Sequence, residues 1–252
     1  MERNDWLKDF FESGFYEKYW SWKYSSQDAE QLAADCLRLL GAERGHILDW
    51  CGGWGRVSLH FAKKGLKVTI LDFMEEYLVR AESIFSKNSL DADLVLCDCR
   101  DTPNWIQADY ASCTFCSIGF FNDREQVDAF RSLYSALKCG AKFIVDCMNR
   151  DFLSSAIRPV NEIRREDGYR FRQNNDFDRD SGVLHSTLEI RDKKGRTEES
   201  RDFHQKIYRP DELKTLLVSA GFKLDAMYGD YSGNSVSDDR PQIVAVASKA
   251  GH

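Results

Sequence analysis

The feature that most constrains the fold is a glycine-rich turn between a predicted strand and a predicted helix. Residues 46–50 form a short apolar run, Gly52, Gly53 and Gly55 follow it, and residues 57–65 have the apolar spacing of a helix. Such a turn lets backbone amide groups approach a bound ligand, because side chains at these positions would block the approach. The sequence therefore predicts a strand–turn–helix unit whose backbone contacts a ligand.

Alternating strand and helix patterns continue beyond this turn. This alternation is typical of a parallel sheet covered by helices. A helix that opens at Pro210 and closes at Gly221 resumes the pattern late in the chain. The predicted strands cover residues 67–72, 92–98, 110–120, 142–148, 223–229 and 242–249, the predicted helices cover residues 74–87, 123–138 and 210–220, and a turn is predicted at Cys139 and Gly140.

Two segments depart from the alternation. Residues 1–44 have helical spacing and an aromatic cluster, which predicts a helical cap. Residues 151–208 alternate polar and apolar residues between turns, which predicts an antiparallel meander inserted into the sheet domain. We expect one domain over residues 1–252, with the cap at 1–44, a ligand-binding core at 45–150, the insertion at 151–208 and the completion of the core at 209–252. The predicted turns of the meander lie at Asp167-Gly168, Ser181-Gly182 and Lys194-Gly195.

Composition narrows the classes of partner. No apolar run reaches the length of about 18 residues that spans a bilayer, and the first residues lack the basic start and apolar run of a signal peptide, so we expect a soluble cytoplasmic protein. The net charge of −6 disfavours nucleic acid and favours a small-molecule partner. We expect a monomer or a homodimer.

The spacing of the cysteines does not predict a metal site. Cys97 and Cys99 are two positions apart, and Cys113 and Cys116 are three apart, beside or within strand patterns. Residues three apart on a strand point to opposite faces and chelate a metal poorly. We therefore expect no bound metal and interpret these cysteines as small apolar residues.

Two acidic residues follow the glycine-rich turn at the ends of predicted strands. Asp72 ends the second strand, 23 positions after Asp49, where a carboxylate can accept both ribose hydroxyls of an adenosine. Asp98 ends the third strand in the same way. Taken singly, an acid at a strand end can also cap a helix. Together with the turn, these acids predict a nucleoside-binding edge.

The motif ILDWCGGWGR resembles the first motif of the class I S-adenosylmethionine-dependent methyltransferases, a strand that ends DxGxGxG. Asp49, Gly53 and Gly55 match that motif, while Cys51 stands where the family has its first glycine. The later strands and the closing IYRPDELKTLLVSAGF match the family through nearly the whole chain. The resemblance implies a Rossmann-like, mainly parallel seven-stranded sheet with helices on both faces, and the cap and meander are similar to those of a subgroup that acts on small molecules.

The resemblance also implies a set of contacts with the donor S-adenosylmethionine. The glycine-rich turn holds the amino acid part, Asp72 binds the ribose, residues after the second and third strands surround the adenine, and residues after the fourth strand lie near the sulfonium. The expected donor contacts are Asp49, Cys51, Gly52, Gly53, Gly55, Asp72, Phe73, Met74, Asp98, Cys99, Thr114 and Phe115.

Methyl transfer is an in-line displacement from an activated donor, so alignment and exclusion of water are the main tasks of the protein. A base is optional, and the candidates are His204, His185, Tyr16 and Tyr19. A histidine on such a strand is more often solvated or packed. We expect residues 15–22 and 160–208 to cover the acceptor, with Trp20, Ser117, Phe120 and Arg240 facing it.

Two other functions fit parts of the pattern. A dehydrogenase that binds NAD also uses a glycine-rich turn and a later acid, but its GxGxxG fingerprint requires a third glycine that is missing after Gly55. A second alternative is a domain that binds the donor without consuming it, for which Cys51 and Trp54 would mark lost catalysis.

Overall fold

The computed structural model describes residues 5–12, 14–19 and 26–251, and a seven-stranded sheet forms its centre. The strands are β1 (His46–Trp50), β2 (Lys67–Asp72), β3 (Asp93–Leu96), β4 (Ala108–Cys113), β5 (Leu137–Met148), β10 (Phe222–Tyr228) and β11 (Gln242–Lys249). They lie in the order β10-β11-β5-β4-β1-β2-β3, and β11 is antiparallel to both of its neighbours while the other pairs are parallel. The predicted mainly parallel sheet is thus confirmed.

Helices cover both faces of this sheet because successive strand residues point to opposite sides. Apolar residues such as Ile47 and Ile70 face α3, α4 and α5, whereas Leu48 and Phe143 face α6 and α8. An Asn122–Glu125 capping box opens α6. The helices are α1 (Asp5–Glu12), α2 (Phe15–Tyr19), α3 (Ser26–Leu40), α4 (Ser58–Lys63), α5 (Glu75–Lys87), α6 (Asp123–Ser135), α7 (Arg150–Ala156) and α8 (Pro210–Ser219).

The insertion forms a separate antiparallel sheet of four strands. Its order β6-β7-β8-β9 follows the sequence, as expected of a meander. Apolar residues from its inner face pack against α1 and α2, where Phe10 and Phe15 contact Phe171, Leu188 and Phe203. The insertion therefore supports the amino-terminal helices. The strands are β6 (Val160–Arg164), β7 (Arg170–Phe177), β8 (Val183–Arg191) and β9 (Thr197–Lys206).

Three local features differ from the sequence predictions. The turn predicted at Cys139 and Gly140 is wrong, because β5 already begins at Leu137 and accommodates a register shift next to β4. The strand predicted to run to residue 120 ends at Cys113, since Phe115 and Cys116 have left-handed backbone conformations with φ of 62° and 58°. The helix α7 at the start of the insertion is absent from the sequence prediction, because its seven residues are too few to show a clear helical spacing of apolar residues.

Candidate active site

A cavity of about 600 Å³ opens at the carboxyl ends of β1 to β4. In open sheets of this kind ligands bind beyond these strand ends, where the loops leave the sheet. The lining combines acidic, basic and aromatic side chains with the glycine-rich turn. Expected contacts that line the cavity are Tyr16, Asp49, Cys51, Gly52, Gly53, Asp72, Phe73, Asp98, Cys99, Thr114, Phe115, Ser117 and Phe120.

Each glycine of the turn meets a different steric requirement. A Cβ atom on Gly52 would lie 2.8 Å from Oδ2 of Asp49. Gly53 has a φ of 58°, and the space where its Cβ would point has only Tyr77 at 3.9 Å, so its backbone is open to a ligand. A Cβ on Gly55 would lie 2.8 Å from Ile70, which shows that this glycine serves the packing of the helix on the sheet.

Asp49 anchors the turn from within the core. Its carboxylate accepts hydrogen bonds from the hydroxyl groups of Ser58 and Ser112, the latter at 2.8 Å. The side chain is 2% exposed. Burial raises the pKa of Asp49 to about 6, and the two hydroxyl donors oppose that rise. Asp49 thus holds the turn in place with little surface left for a ligand.

Asp72 connects the second strand with the turn. Its Oδ2 accepts a hydrogen bond from the Gly53 amide at 2.8 Å, and its Oδ1 accepts one from the Met74 amide at 3.0 Å. Burial raises the pKa of Asp72 to about 6, against the effect of these amide donors. Each carboxylate oxygen has a second lone pair, so the side chain can also accept two hydroxyl hydrogens from a ligand in the cavity.

Asp98 is oriented by its neighbour Arg100. Nε of Arg100 donates to Oδ1 of Asp98 at 3.0 Å, and Nη2 donates to Oδ2 at 2.7 Å. This bidentate contact raises the pKa of Arg100. The guanidinium group also stacks over the ring of Phe121, 4.3 Å from its centroid. The pair forms a rigid polar wall beside Cys99.

Aromatic rings form the opposite walls. The guanidinium group of Arg56 lies 4.5 Å from the centroid of Phe115 and 4.9 Å from that of Trp54. From the amino-terminal helices, Phe11 packs edge-on against Phe73, with ring centroids 5.9 Å apart. These rings can exclude water and stabilise a positive charge on a bound molecule.

Several expected site residues lie elsewhere. Gly55 packs in the core, and the side chain of Met74 is buried beneath Trp54 and Tyr77, so neither lines the cavity. Arg240 pairs with Asp230 at 2.8 Å, outside the cavity lining. Trp20 lies outside the described residues, as does the side chain of Tyr19.

His204, which the sequence analysis names as a candidate base, does not line the cavity. His204 lies in β9, where its Nδ1 is 2.5 Å from Nδ1 of His185, and its ring packs against Trp6. Burial, followed by the neighbouring His185, lowers the pKa of His204. Residues 160–208, all of which are described, do not line the cavity either, because α1 and α2 lie between this sheet and the ligand space. The meander supports the cover instead of forming it.

Sequence reasoning missed other residues of the cavity. Arg56 and Arg100 line it, and so do Phe11, Tyr77 and Phe121. Arg56 stands within the glycine-rich motif, so its position could have drawn attention. The remaining residues reach the site through tertiary packing, for which the sequence carries no local signal.

Replacing Cys51 with glycine should leave donor affinity within about threefold of the wild type. Cys51 has a φ of 62°, which costs a residue with a side chain about 1 kcal/mol or more and glycine little. The loss of thiol packing offsets part of that gain. Calorimetric titration with S-adenosylhomocysteine measures the effect, and a loss above tenfold would show that the thiol itself contacts the ligand.

Comparison with known families and curated proteins gives matches over the core. Residues 47–140 match the family model described as a methyltransferase domain. The chain is 35% identical over 95 residues to the ribosomal RNA small subunit methyltransferase B of Pseudomonas putida, and 34% identical over 79 residues to the S-adenosyl-L-methionine-dependent Diels-Alderase iliD of Neonectria sp.. These alignments cover 36% and 31% of this chain, and 21% and 32% of the two relatives.

Solved structures match over much more of the chain. An S-adenosylmethionine-dependent methyltransferase from Clostridium acetobutylicum has a TM-score of 0.78 and 17% identity, over 97% of this chain and 100% of that one. The CcbJ methyltransferase from Streptomyces caelestis has a TM-score of 0.78 and 19% identity, over 89% of this chain and 90% of that one. CalS10, an amino pentose methyltransferase from Micromonospora echinaspora, has a TM-score of 0.69 and 18% identity, over 95% and 96%. The chain therefore has the fold of the class I S-adenosylmethionine-dependent methyltransferases, as its motifs predict, and its residues 47–140 resemble a methyltransferase domain.

Proposed function

We propose that this protein is an enzyme that transfers the methyl group of S-adenosylmethionine to a nitrogen or oxygen atom of a small molecule. The observation that carries the proposal is the convergence of the glycine-rich turn, Asp72 and Asp98 on one cavity at the strand ends. A nucleoside with an amino acid attached to its ribose has polar groups that match this arrangement. A volume of about 600 Å³ suits a ligand of that size.

The residues of the cavity fit the donor along its length. Asp72 accepts hydrogen bonds from the two ribose hydroxyls, because backbone amides orient its carboxylate and each ionised carboxylate oxygen can accept more than one hydrogen bond. The backbone at Gly53 lies against the amino acid part, and Asp98 and Cys99 lie at the adenine edge. Phe115, after the fourth strand, lines the part of the cavity proposed for the sulfonium.

The contribution of this chain to the reaction is alignment. The bound donor supplies an activated methyl group, so the protein has to hold the acceptor in line and exclude water. Leu7, Phe11 and Phe120 are apolar residues of the lining that serve this purpose. Among the candidate bases whose side chains the structure describes, Tyr16 lines the cavity, and it can accept or relay the proton of an acceptor hydroxyl or ammonium group.

A nitrogen atom of a small molecule is the acceptor we favour. CalS10 is named an amino pentose methyltransferase, and the similarly folded KedS8 is named a sugar N-methyltransferase, with 14% identity to this chain. The aromatic lining supports this choice, since ring faces also stabilise an ammonium group before it loses its proton.

A second candidate function is binding of the donor without methyl transfer. One relative is named a Diels-Alderase that depends on S-adenosyl-L-methionine, and it matches 31% of this chain. The left-handed Cys51 at the first position of the motif is a departure that could accompany such a role.

The proposal is tested by binding and by product formation. Calorimetry should show binding of S-adenosylmethionine and S-adenosylhomocysteine, with NAD binding far more weakly. Incubation of the enzyme and S-adenosylmethionine with amino sugars or a metabolite extract should release S-adenosylhomocysteine. Tight NAD binding without adenosyl ligand binding would contradict the whole proposal. Donor binding without any S-adenosylhomocysteine release would favour the second candidate.

A further inference from the structure

The loop after β4 has a backbone that its own sequence does not favour. Phe115 and Cys116 are consecutive residues in left-handed conformation, and neither is a glycine. A residue with a side chain is strained in this conformation and persists there only where surrounding contacts fix it. Thr114, Phe115 and Ser117 of this loop line the cavity. Contacts that fix the loop therefore fix one wall of the ligand space.

One fixing contact comes from the insertion sheet. Nε2 of Gln205, in β9, donates to the carbonyl oxygens of Cys116 and Ile118, each at 2.8 Å. Gln205 is 4% exposed, so water does not compete with these bonds. From the sheet side, Asp146 in β5 accepts a hydrogen bond from the Cys116 amide at 3.1 Å. The strained turn is thus held from two directions.

Backbone contacts beside Gln205 join the same two segments. The Lys206 amide donates to the Gly119 carbonyl at 2.7 Å. A Cβ on Gly119 would lie 2.1 Å from the Lys206 carbonyl oxygen, so this close approach requires glycine. The end of β9 and the loop after β4 consequently form one hydrogen-bonded unit.

We propose that Gln205 is a positioning residue that fixes the loop at residues 114–118 and couples the insertion sheet to the donor site. The inference rests on the proposed function and goes beyond it, because Gln205 does not line the cavity. It acts by holding the carbonyl groups and the Phe115 ring where the sulfur end of the donor lies. Gln205 and Lys206 thus connect β9 of the insertion sheet directly to this loop.

The substitution Gln205→Met tests the coupling, because methionine has a similar shape but no amide hydrogens to donate. We expect the Kd for S-adenosylhomocysteine to rise at least fivefold, while the Kd for adenosine, which lacks the sulfur and the amino acid part, stays within twofold. Gln173→Met is the matched control, since Gln173 lies in the same sheet and donates to Ser186 at 3.2 Å instead of to the loop. It should leave both constants unchanged.

Gln205→Glu adds a readout with a defined pH dependence. An ionised glutamate would face two carbonyl oxygens, whereas a protonated one could donate a single hydrogen bond. The ratio of the Kd of this variant for S-adenosylhomocysteine to that of the wild type, measured at the same pH, should therefore decrease as the pH is lowered. A pH-independent defect would contradict the hydrogen-bonding role.

Hydrogen exchange of the wild type provides a test that needs no variant. On addition of S-adenosylhomocysteine, the Lys206 amide should gain protection together with residues 114–119, although Lys206 does not line the cavity. Strands β6 and β7 should show less change. Protection restricted to lining residues, or equal effects of Gln205→Met and Gln173→Met, would overturn the inference. Absence of S-adenosylhomocysteine binding to the wild type would instead contradict the proposed function.

Discussion

Replacement of Gly52 by alanine should reduce S-adenosylhomocysteine affinity by at least a hundredfold. The added Cβ would lie 2.8 Å from Oδ2, 2.9 Å from Cγ and 3.0 Å from the carbonyl oxygen of Asp49. Neither group can yield easily, because the carboxylate is buried and held by Ser58 and Ser112 while the carbonyl belongs to a central strand. The turn itself must move, and with it the Gly53 amide that fixes Asp72.

Gly65→Ala is the control for this substitution. Gly65 has a φ of 88°, so alanine is strained there, but no atom lies within 4 Å of the added Cβ. Gly65→Ala should therefore lower the folding stability by about 1 kcal/mol through backbone strain alone. The affinity for the ligand should not change. Calorimetry and thermal unfolding of both variants separate the two effects. Similar affinities of the Gly52 variant and the wild type would show that the turn does not form the ligand site.

The second large effect is expected at Asp72. Asp72→Asn should weaken S-adenosylhomocysteine binding by about ten- to a hundredfold, because hydrogen bonds to a charged group are worth about 1.5 to 3 kcal/mol. The asparagine retains one acceptor oxygen for the Gly53 or Met74 amide, so it should reduce the folding stability less than alanine would. Asp93→Asn, which removes an exposed carboxylate paired with Lys67, is the control and should bind normally. An unchanged Kd for Asp72→Asn would restrict this residue to a structural role.

The same carboxylate predicts a pH dependence of binding. Burial raises the pKa of Asp72 to about 6, and the neutral acid is a weaker acceptor of ribose hydroxyls. Affinity should be constant above pH 7 and fall as the pH is lowered through about 6. The effect on folding stability has the opposite sign. Because the pKa of Asp72 is raised in the folded state, this group stabilises the fold below about pH 4, and that contribution is lost as the pH rises through about 6. A loss of affinity in acid is thus not explained by unfolding through Asp72.

Local sequence patterns predicted the central sheet, its glycine-rich turn and the meander. The glycine-rich turn and the strand-end acids Asp72 and Asp98 are encoded by short, contiguous motifs, and the alternating periods distinguished the central sheet from the meander. These features depend on neighbours along the chain. A sequence is therefore sufficient to place them.

Features that depend on distant contacts could not be predicted. The left-handed turn at Phe115 contains no glycine and is stabilised by Asp146 and Gln205, which lie 30 and 89 positions from Cys116. His204 has the alternation of a strand residue, but that pattern does not say whether its sheet meets the cavity. The role of the meander as a support depends on aromatic packing from α1 and α2.

The position of β11 has a consequence for the order of folding during synthesis. Gln242–Lys249 lies between β5 and β10, and Lys142 pairs with Ser248 across about a hundred intervening residues. The ribosome therefore completes the segments that line the cavity, the insertion and β10 before the strand that joins β10 to the sheet emerges. Until then the apolar edge of β5 is open to wrong partners, and the late closure of such a long loop is slow. In a nascent chain, this edge is where we expect chaperones to be needed most.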